Sequence, residues 1–146
     1  MRFIVFMMGN EDSEGGVMPT TEQLAEMDRF KDELIEAGVM LGGEGLAPTS
    51  DGVTVNFLAD GARSVVDGPF TEAKEVVAGF WLWQCDSLED AVEWAKRMPD
   101  WEGEGSVQIR RIFEAEDFGD VVTPEMIEED ARQRAQIRAN VEAAAL

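Results

Sequence analysis

The chain has 146 residues and a mass of 16.1 kDa, the usual size of one compact domain. It carries 31 acidic and 12 basic side chains, and its net charge of −19 argues strongly against a surface for nucleic acid or anionic membranes, because phosphate binding needs clustered cations. The absence of histidine excludes a His-ligated haem and a histidine-activated nucleophile, and a single cysteine excludes an intrachain disulfide. We expect no metal and no cofactor.

The single thiol belongs to Cys85. A lone cysteine fits a reducing compartment, so we expect a cytoplasmic protein. With no imidazole to activate it, Cys85 is expected to be an inert packing residue.

The first elements in chain order are a strand and a helix. The apolar run Phe3–Met8 is too short for a signal peptide or a membrane span, so we predict a buried strand over Arg2–Met8. The polar, glycine-containing segment 10–16 predicts a loop. The segment Thr20–Gln23 has the spacing of a capping box, and the apolar positions that follow predict a helix over about Thr21–Ala37.

The middle of the chain predicts a second strand and an inserted hairpin. The strand begins at Val39, and the Gly-Gly-Glu-Gly run 42–45 predicts a bulge or a close approach of another backbone. The run 53–57 then alternates apolar and polar residues, and the run Arg63–Val66 follows a turn. These two runs predict a β-hairpin.

A second strand-helix-strand unit follows the hairpin. The bulky run Val76–Cys85 predicts a central strand, Ser87–Asp90 predicts the start of a helix that ends before Pro99, and Val107–Ile112 predicts the last core strand. This order predicts a ferredoxin-like α+β sandwich, with an antiparallel sheet and both helices on one face. The other face is too apolar to stay in water, so we expect a homodimer around a shared, barrel-like core.

The character of the chain changes near residue 114. An acidic connector leads to Thr123 and Pro124, which are typical of a helix start. The polar helix predicted after them has too thin an apolar stripe for an independent domain. We therefore divide the chain into a ferredoxin-like domain, 1–113, and an acidic connector with a C-terminal helical extension, 114–146.

Three stretches together resemble a known family. They are Val66-Asp-Gly-Pro-Phe-Thr-Glu-Ala-Lys-Glu75, Ala78-Gly-Phe80 and Ser87-Leu-Glu-Asp-Ala-Val-Glu-Trp-Ala95. The chain is similar over about Arg2–Phe113 to the DGPF-domain branch of the YCII-related family. The resemblance implies a dimeric α+β barrel and a link, as accessory proteins, to extracytoplasmic-function sigma factors. Relatives in the wider family resemble small lyases or dehalogenating enzymes with a His-Asp pair, and this chain has no histidine.

The DGPF stretch and the charges after it form the first candidate site. Asp67 either accepts backbone N–H bonds in a sharp turn or is a carboxylate at the mouth of a pocket, where burial would raise its pKa for acid–base work. Glu72, Lys74 and Glu75 either form a solvated charged run or bind a ligand. In the second interpretation Lys74 anchors an anion and Glu75 or Glu72 orients it.

Other candidates lie on the predicted strands. Glu44 either faces solvent at a bulge or enters a cavity and pairs with Arg110, the most plausible cationic partner on a core strand. Trp81 and Trp83 point to the same side of one strand. We expect this side to form the dimer core, with the lining of a pocket for an aromatic ligand as the alternative.

Three functions follow from these candidates. The first is a homodimeric accessory protein that binds a small ligand beside the sheet and has no assigned chemistry. The second is a cofactor-independent lyase, isomerase or monooxygenase with Asp67 or Glu44 as its acid or base, and with Lys74 or Arg110 stabilising an oxyanion. The third is an interaction module whose acidic C-terminal helix binds a basic partner.

Overall fold

The computed structural model describes residues 1–70, 75–99 and 105–144. The strands are β1 (Arg2–Met8), β2 (Met40–Gly45), β3 (Val53–Phe57), β4 (Arg63–Asp67), β5 (Val77–Gln84) and β6 (Val107–Arg111). The α-helices are α1 (Glu11–Glu14), α2 (Thr21–Glu36), α3 (Leu88–Ala95) and α4 (Pro124–Ala143), and two 3-10 helices span Thr49–Asp51 and Ala115–Val121.

Four strands form one antiparallel sheet in the order β2-β5-β1-β6. Strands β3 and β4 form a separate two-stranded ribbon. The connections β1-α2-β2 and β5-α3-β6 make two split strand-helix-strand units, so the predicted α+β, ferredoxin-like fold is confirmed.

The core lies between one face of the sheet and the helices α2 and α3. Sheet residues alternate between the two faces of each strand, and every second residue of β1 and β5 enters this core. The buried apolar residues are Phe3, Val5, Phe30, Leu34, Val39, Trp81, Trp83, Cys85 and Ala91. Phe30 and Leu34 come from α2 and Ala91 from α3, which places both helices on the same face.

The opposite face of the sheet, here called the open face, carries Ile4, Phe6, Phe80 and Leu82. The register places Ile4 opposite Leu82 and Phe6 opposite Phe80, so the four side chains form one apolar cluster in the middle of the sheet. All four are half-buried. Neither α2 nor α3 covers them, since both helices pack on the other face.

Two local predictions have specific outcomes. The register of β2 against β5 shifts between Met40 and Gly42, and a Cβ on Gly43 would lie 2.3 Å from Trp81 Cδ1, so both a bulge and a close approach are present. The predicted loop 10–16 was wrong in part, because it contains the one-turn helix α1. The Asn10 side chain accepts a bond from Ser13 N, and Ser13 Oγ accepts one from Asn10 N, which stabilises that turn.

The structure divides into two compact units, Met1–Ile112 and Phe113–Leu146. The second unit contains α4, whose described side chains are exposed and which holds the ion pairs Glu129–Arg132 and Asp130–Arg134. Among the helices of the described ranges, none combines the length and the apolar content that crossing a bilayer demands.

Candidate functional site

The side chain of Thr49 joins three separate segments of the first unit. Thr49 N donates to Glu14 Oε1 at 3.2 Å, and Thr49 Oγ1 donates to the second oxygen of the same carboxylate. Thr49 Oγ1 also accepts a bond from Phe70 N at 3.0 Å. Thr49 is buried, so these bonds replace the water that its hydroxyl loses. Helix α1, the first 3-10 helix and the segment after β4 are thereby held together.

Close packing against Thr49 explains why the second residue of the Asp-Gly-Pro-Phe stretch is a glycine. A Cβ on Gly68 would lie 1.7 Å from Thr49 O, so no side chain fits there unless the backbone shifts. Gly68 N donates to Gly52 O at 2.9 Å, and the Gly68–Pro69 peptide bond is cis. We call Thr49, Gly52, Gly68 and Phe70 the root, because they anchor the ribbon of β3 and β4 to the rest of the unit.

A cavity of about 600 Å³ lies beside the root. Among the described residues, its wall is mostly apolar or backbone and includes two carboxylates. The residues that line it are Leu46, Ala47, Pro48, Thr49, Asp51, Gly52, Phe70, Glu75, Val76 and Val77. A volume of this size lies in the range of small-molecule sites, and a few polar groups on an apolar wall are typical of such sites.

The cavity includes one of the predicted site residues, Glu75. Asp67 is not part of its lining: it is the last residue of β4, is exposed, and pairs with Val53 across the ribbon. The predicted residues Glu72 and Lys74 lie outside the described residues.

The predicted Glu44–Arg110 pair is wrong for a single chain. Glu44 lies on β2 and Arg110 on β6, the two opposite edges of the four-stranded sheet. Three strand spacings of about 4.8 Å separate them, about 14 Å in all. The predicted ferredoxin-like fold already implies this, because two interleaved strand-helix-strand units place their second and last strands at opposite edges.

The predicted dimer-core role of Trp81 and Trp83 is also wrong. Trp81 is 7% exposed and Trp83 is fully buried. The ring of Trp81 stacks on Phe30 of α2 at a centroid distance of 5.9 Å, so this face of β5 packs on the chain's own helix. The residues that remain for contact with another molecule are Phe80 and Leu82, on the open face. The two tryptophans also do not line the cavity.

Three residues of the site were missed in the sequence: Glu14, Thr49 and Asp51. Glu14 looked like one more charge in an acidic loop. The run Pro-Thr-Ser-Asp from residue 48 to residue 51 is typical of a helical turn. Its first polar residue, Thr49, belongs to the root, and its last, Asp51, to the cavity wall. That signal was present, but nothing in the sequence pairs Thr49 with a carboxylate 35 positions earlier.

Cys85 is a buried free thiol at the end of β5. Burial, together with the nearby carboxylates of Asp90 and Asp86, raises its pKa from 9.0 to about 11, against the opposing effect of the N-terminal amine. The thiol therefore stays protonated near neutral pH and is a poor nucleophile.

The described residues hold no group of three side chains that could bind a metal ion. The cavity itself offers the carboxylates of Asp51 and Glu75. Within the described ranges, neither carboxylate has a hydrogen-bond or ion-pair partner among the side chains. The site is thus a concave, largely apolar surface with two available acceptor groups.

Comparison with known proteins identifies the family. The model of the YCII-related domain matches residues 1–116. This chain belongs to the YCII-related family. An uncharacterized protein of Rhizobium meliloti is 32% identical over 90 residues, which cover 61% of this chain and 72% of that relative. The family domain therefore contains the whole first unit, including the root and the cavity.

The buried hydroxyl of Thr49 gives a first prediction. Thr49→Val keeps the shape of the side chain and removes the two bonds of the hydroxyl, to the Glu14 carboxylate and from Phe70 N, so we expect the free energy of unfolding to fall by about 2 kcal/mol. Urea denaturation followed by tryptophan fluorescence measures the change. Ser50→Ala, at the exposed neighbouring position, should change it by less than about 0.5 kcal/mol. Equal effects of the two substitutions would contradict the role of Thr49.

The raised pKa of Cys85 gives a second prediction. Between pH 9.0 and about 11 the thiol ionises in the unfolded chain but not in the folded one. The stability it contributes is present below pH 9.0 and is lost as the pH rises to about 11. The stability difference between the wild type and Cys85→Ala should therefore shrink from about pH 8 to about pH 10.5, as urea denaturation would show. Lysine titration affects both proteins equally, so it cancels in this stability difference. A difference that stays constant over this pH range would contradict the raised pKa of Cys85.

Proposed function

We propose that this chain is a cytoplasmic, homodimeric DGPF-type member of its family that binds a small molecule in the cavity at the root. The observation that carries the proposal is the cavity itself, about 600 Å³ in volume, with an apolar wall and two carboxylates. The Asp-Gly-Pro-Phe stretch supports the DGPF assignment, because two of its residues, Gly68 and Phe70, belong to the root beside the cavity.

The homodimer is supported by the open face. Its four apolar side chains lie together in the centre of the sheet, away from the helices of the first unit. Apolar surface of this kind is usually covered by another chain, and cyclic dimers are the commonest assemblies of one protein. The free, buried thiol of Cys85 supports a reducing compartment.

The chemistry of the wall favours a cationic ligand with an apolar body. The described lining carries Asp51 and Glu75, while Phe70, Val76 and Val77 offer apolar contact. A net charge of −19 also raises the local concentration of cations and lowers that of anions. The sequence-based alternative, an anion held by Lys74, stays a prediction because Lys74 lies outside the described residues.

The other two functions have less support. Asp67 lies on the ribbon, whereas Glu44 and Arg110 lie on opposite edges of the four-stranded sheet. Glu44 and Arg110 therefore cannot act on one group within a single chain. In α4, Arg132 and Arg134 neutralise Glu129 and Asp130, which weakens the case for a basic partner. Catalysis, this interaction and the link to a sigma factor stay predictions.

The test uses two probes of similar size and opposite charge, 2-phenylethylamine and 3-phenylpropanoate. We expect the amine to raise the thermal unfolding temperature and the carboxylate to have a smaller effect. Asp51→Asn and Glu75→Gln should each weaken amine binding by about tenfold, because each removes one charged acceptor.

Matched substitutions locate the binding site. Ala47→Trp fills the cavity and should abolish amine binding, whereas Ala25→Trp, on the exposed side of α2, should leave it unchanged. Binding that survives Ala47→Trp, or no binding of either probe to the wild type, would count against the proposal. Binding of the carboxylate that disappears in Lys74→Ala would instead support the anion interpretation.

A further inference from the structure

The ribbon of β3 and β4 is amphipathic, and we call residues 53–67 the arm. Its register places Val53, Val55 and Phe57 of β3 on the same face as Val65 of β4. These side chains are 55%, 47%, 75% and 64% exposed, respectively. Arg63 and Asp67 lie at the two ends of the same face, and the Arg63 guanidinium lies 4.5 Å from the centre of the Phe57 ring. On the other face, whose strand residues are uncharged, Asn56 Nδ2 donates to Ser64 Oγ at 3.2 Å. One face of the arm is therefore suited to contact with another apolar surface.

The arm receives little support from its own chain. Within the described residues no third strand pairs with β3 or β4, and nine of the ten strand residues are exposed. A two-stranded ribbon alone is marginally stable in water. Apolar surface exposed on both strands therefore calls for a partner that covers it.

The arm is nevertheless fixed at its base. Thr49 Oγ1 accepts from Phe70 N, Gly68 N donates to Gly52 O, and the close approach of Gly68 to Thr49 O leaves no room for a side chain. An arm held in one direction loses less conformational freedom when it binds. This arrangement fits a segment that is preorganised to contact another molecule.

The charge of the arm indicates which molecule it contacts. The arm contains two carboxylates, Asp60 and Asp67, and one cation, Arg63, in a chain with 31 acidic side chains. Its apolar face carries Arg63 and Asp67 and therefore has no net charge. Two copies with a net charge of −19 repel each other, so contact between them requires a surface without excess carboxylates. A basic partner would instead be attracted to the acidic parts of the chain. The apolar face of the arm, which has no net charge, thus fits a second copy better than a basic protein.

We propose that the arm packs its Val55, Phe57 and Val65 face on a second copy of this chain. The interface of the proposed homodimer then has two parts, the open face and the arm. This inference rests on the homodimer proposed above and adds a second contact surface to it.

The test compares the same substitution on the two faces of the arm. Val55→Asp puts a charge on the apolar face, and Val66→Asp puts it on the opposite face, where Val66 pairs with Thr54. Both valines are about half exposed, at 47% and 54%. By sedimentation equilibrium we expect Val55→Asp to raise the dimer dissociation constant by more than about tenfold and Val66→Asp by less than about threefold.

A third variant separates failure of the arm from failure of the dimer. Phe6→Glu, on the open face, should abolish dimerisation. If the wild type sediments only as a 16.1 kDa species at micromolar concentration, both proposals are overturned. If it is a dimer that Phe6→Glu disrupts while Val55→Asp and Val66→Asp act equally, the homodimer stands and the arm proposal is overturned.

Hydrogen exchange provides a check that does not depend on substitutions. Amides of β3 and β4 in the wild type should exchange more slowly at concentrations above the dimer dissociation constant than below it. Amides of α4 serve as the internal reference in the same sample. Exchange in the arm that is the same at both concentrations would overturn the proposal.

Discussion

The arrangement of the functional region depends on one buried hydroxyl group. Thr49 Oγ1 donates to Glu14 and accepts from Phe70 N, so a single side chain links the segment after β1, the turn after β2 and the segment after β4. These segments are far apart in the sequence. The cavity wall and the direction of the arm both follow from this link.

Acidic residues are distributed unevenly over the surface of the molecule. Carboxylates dominate the chain as a whole, whereas the open face has an apolar cluster at its centre and the apolar face of the arm carries one charge of each sign. Water and cations solvate the acidic surface well, but contact between two copies requires the regions from which acidic residues are missing. In the cavity, by contrast, Asp51 and Glu75 remain on the wall and bias the site towards cations.

The alternating pattern of β5 shows how far sequence reasoning reached. Alternation correctly placed Trp81 and Trp83 on the same face, and the structure has Phe80 and Leu82 on the other. It did not show which face α2 and α3 would cover, and the tryptophans were assigned to the wrong surface. Both faces of β5 are bulky and apolar, so local hydrophobicity does not distinguish them. The face of β5 that the helices cover is the one with Trp81, on which Phe30 of α2 stacks.

By itself the sequence determined the strand and helix order, the ferredoxin-like fold, the inserted hairpin and the family, because each depends on local periodicity, capping and turn residues. Only the tertiary structure decided that Thr49 meets Glu14 and that Glu75 shares a cavity with Asp51. Both bring together residues that are distant along the chain. They depend on close packing at the root, which no local pattern encodes.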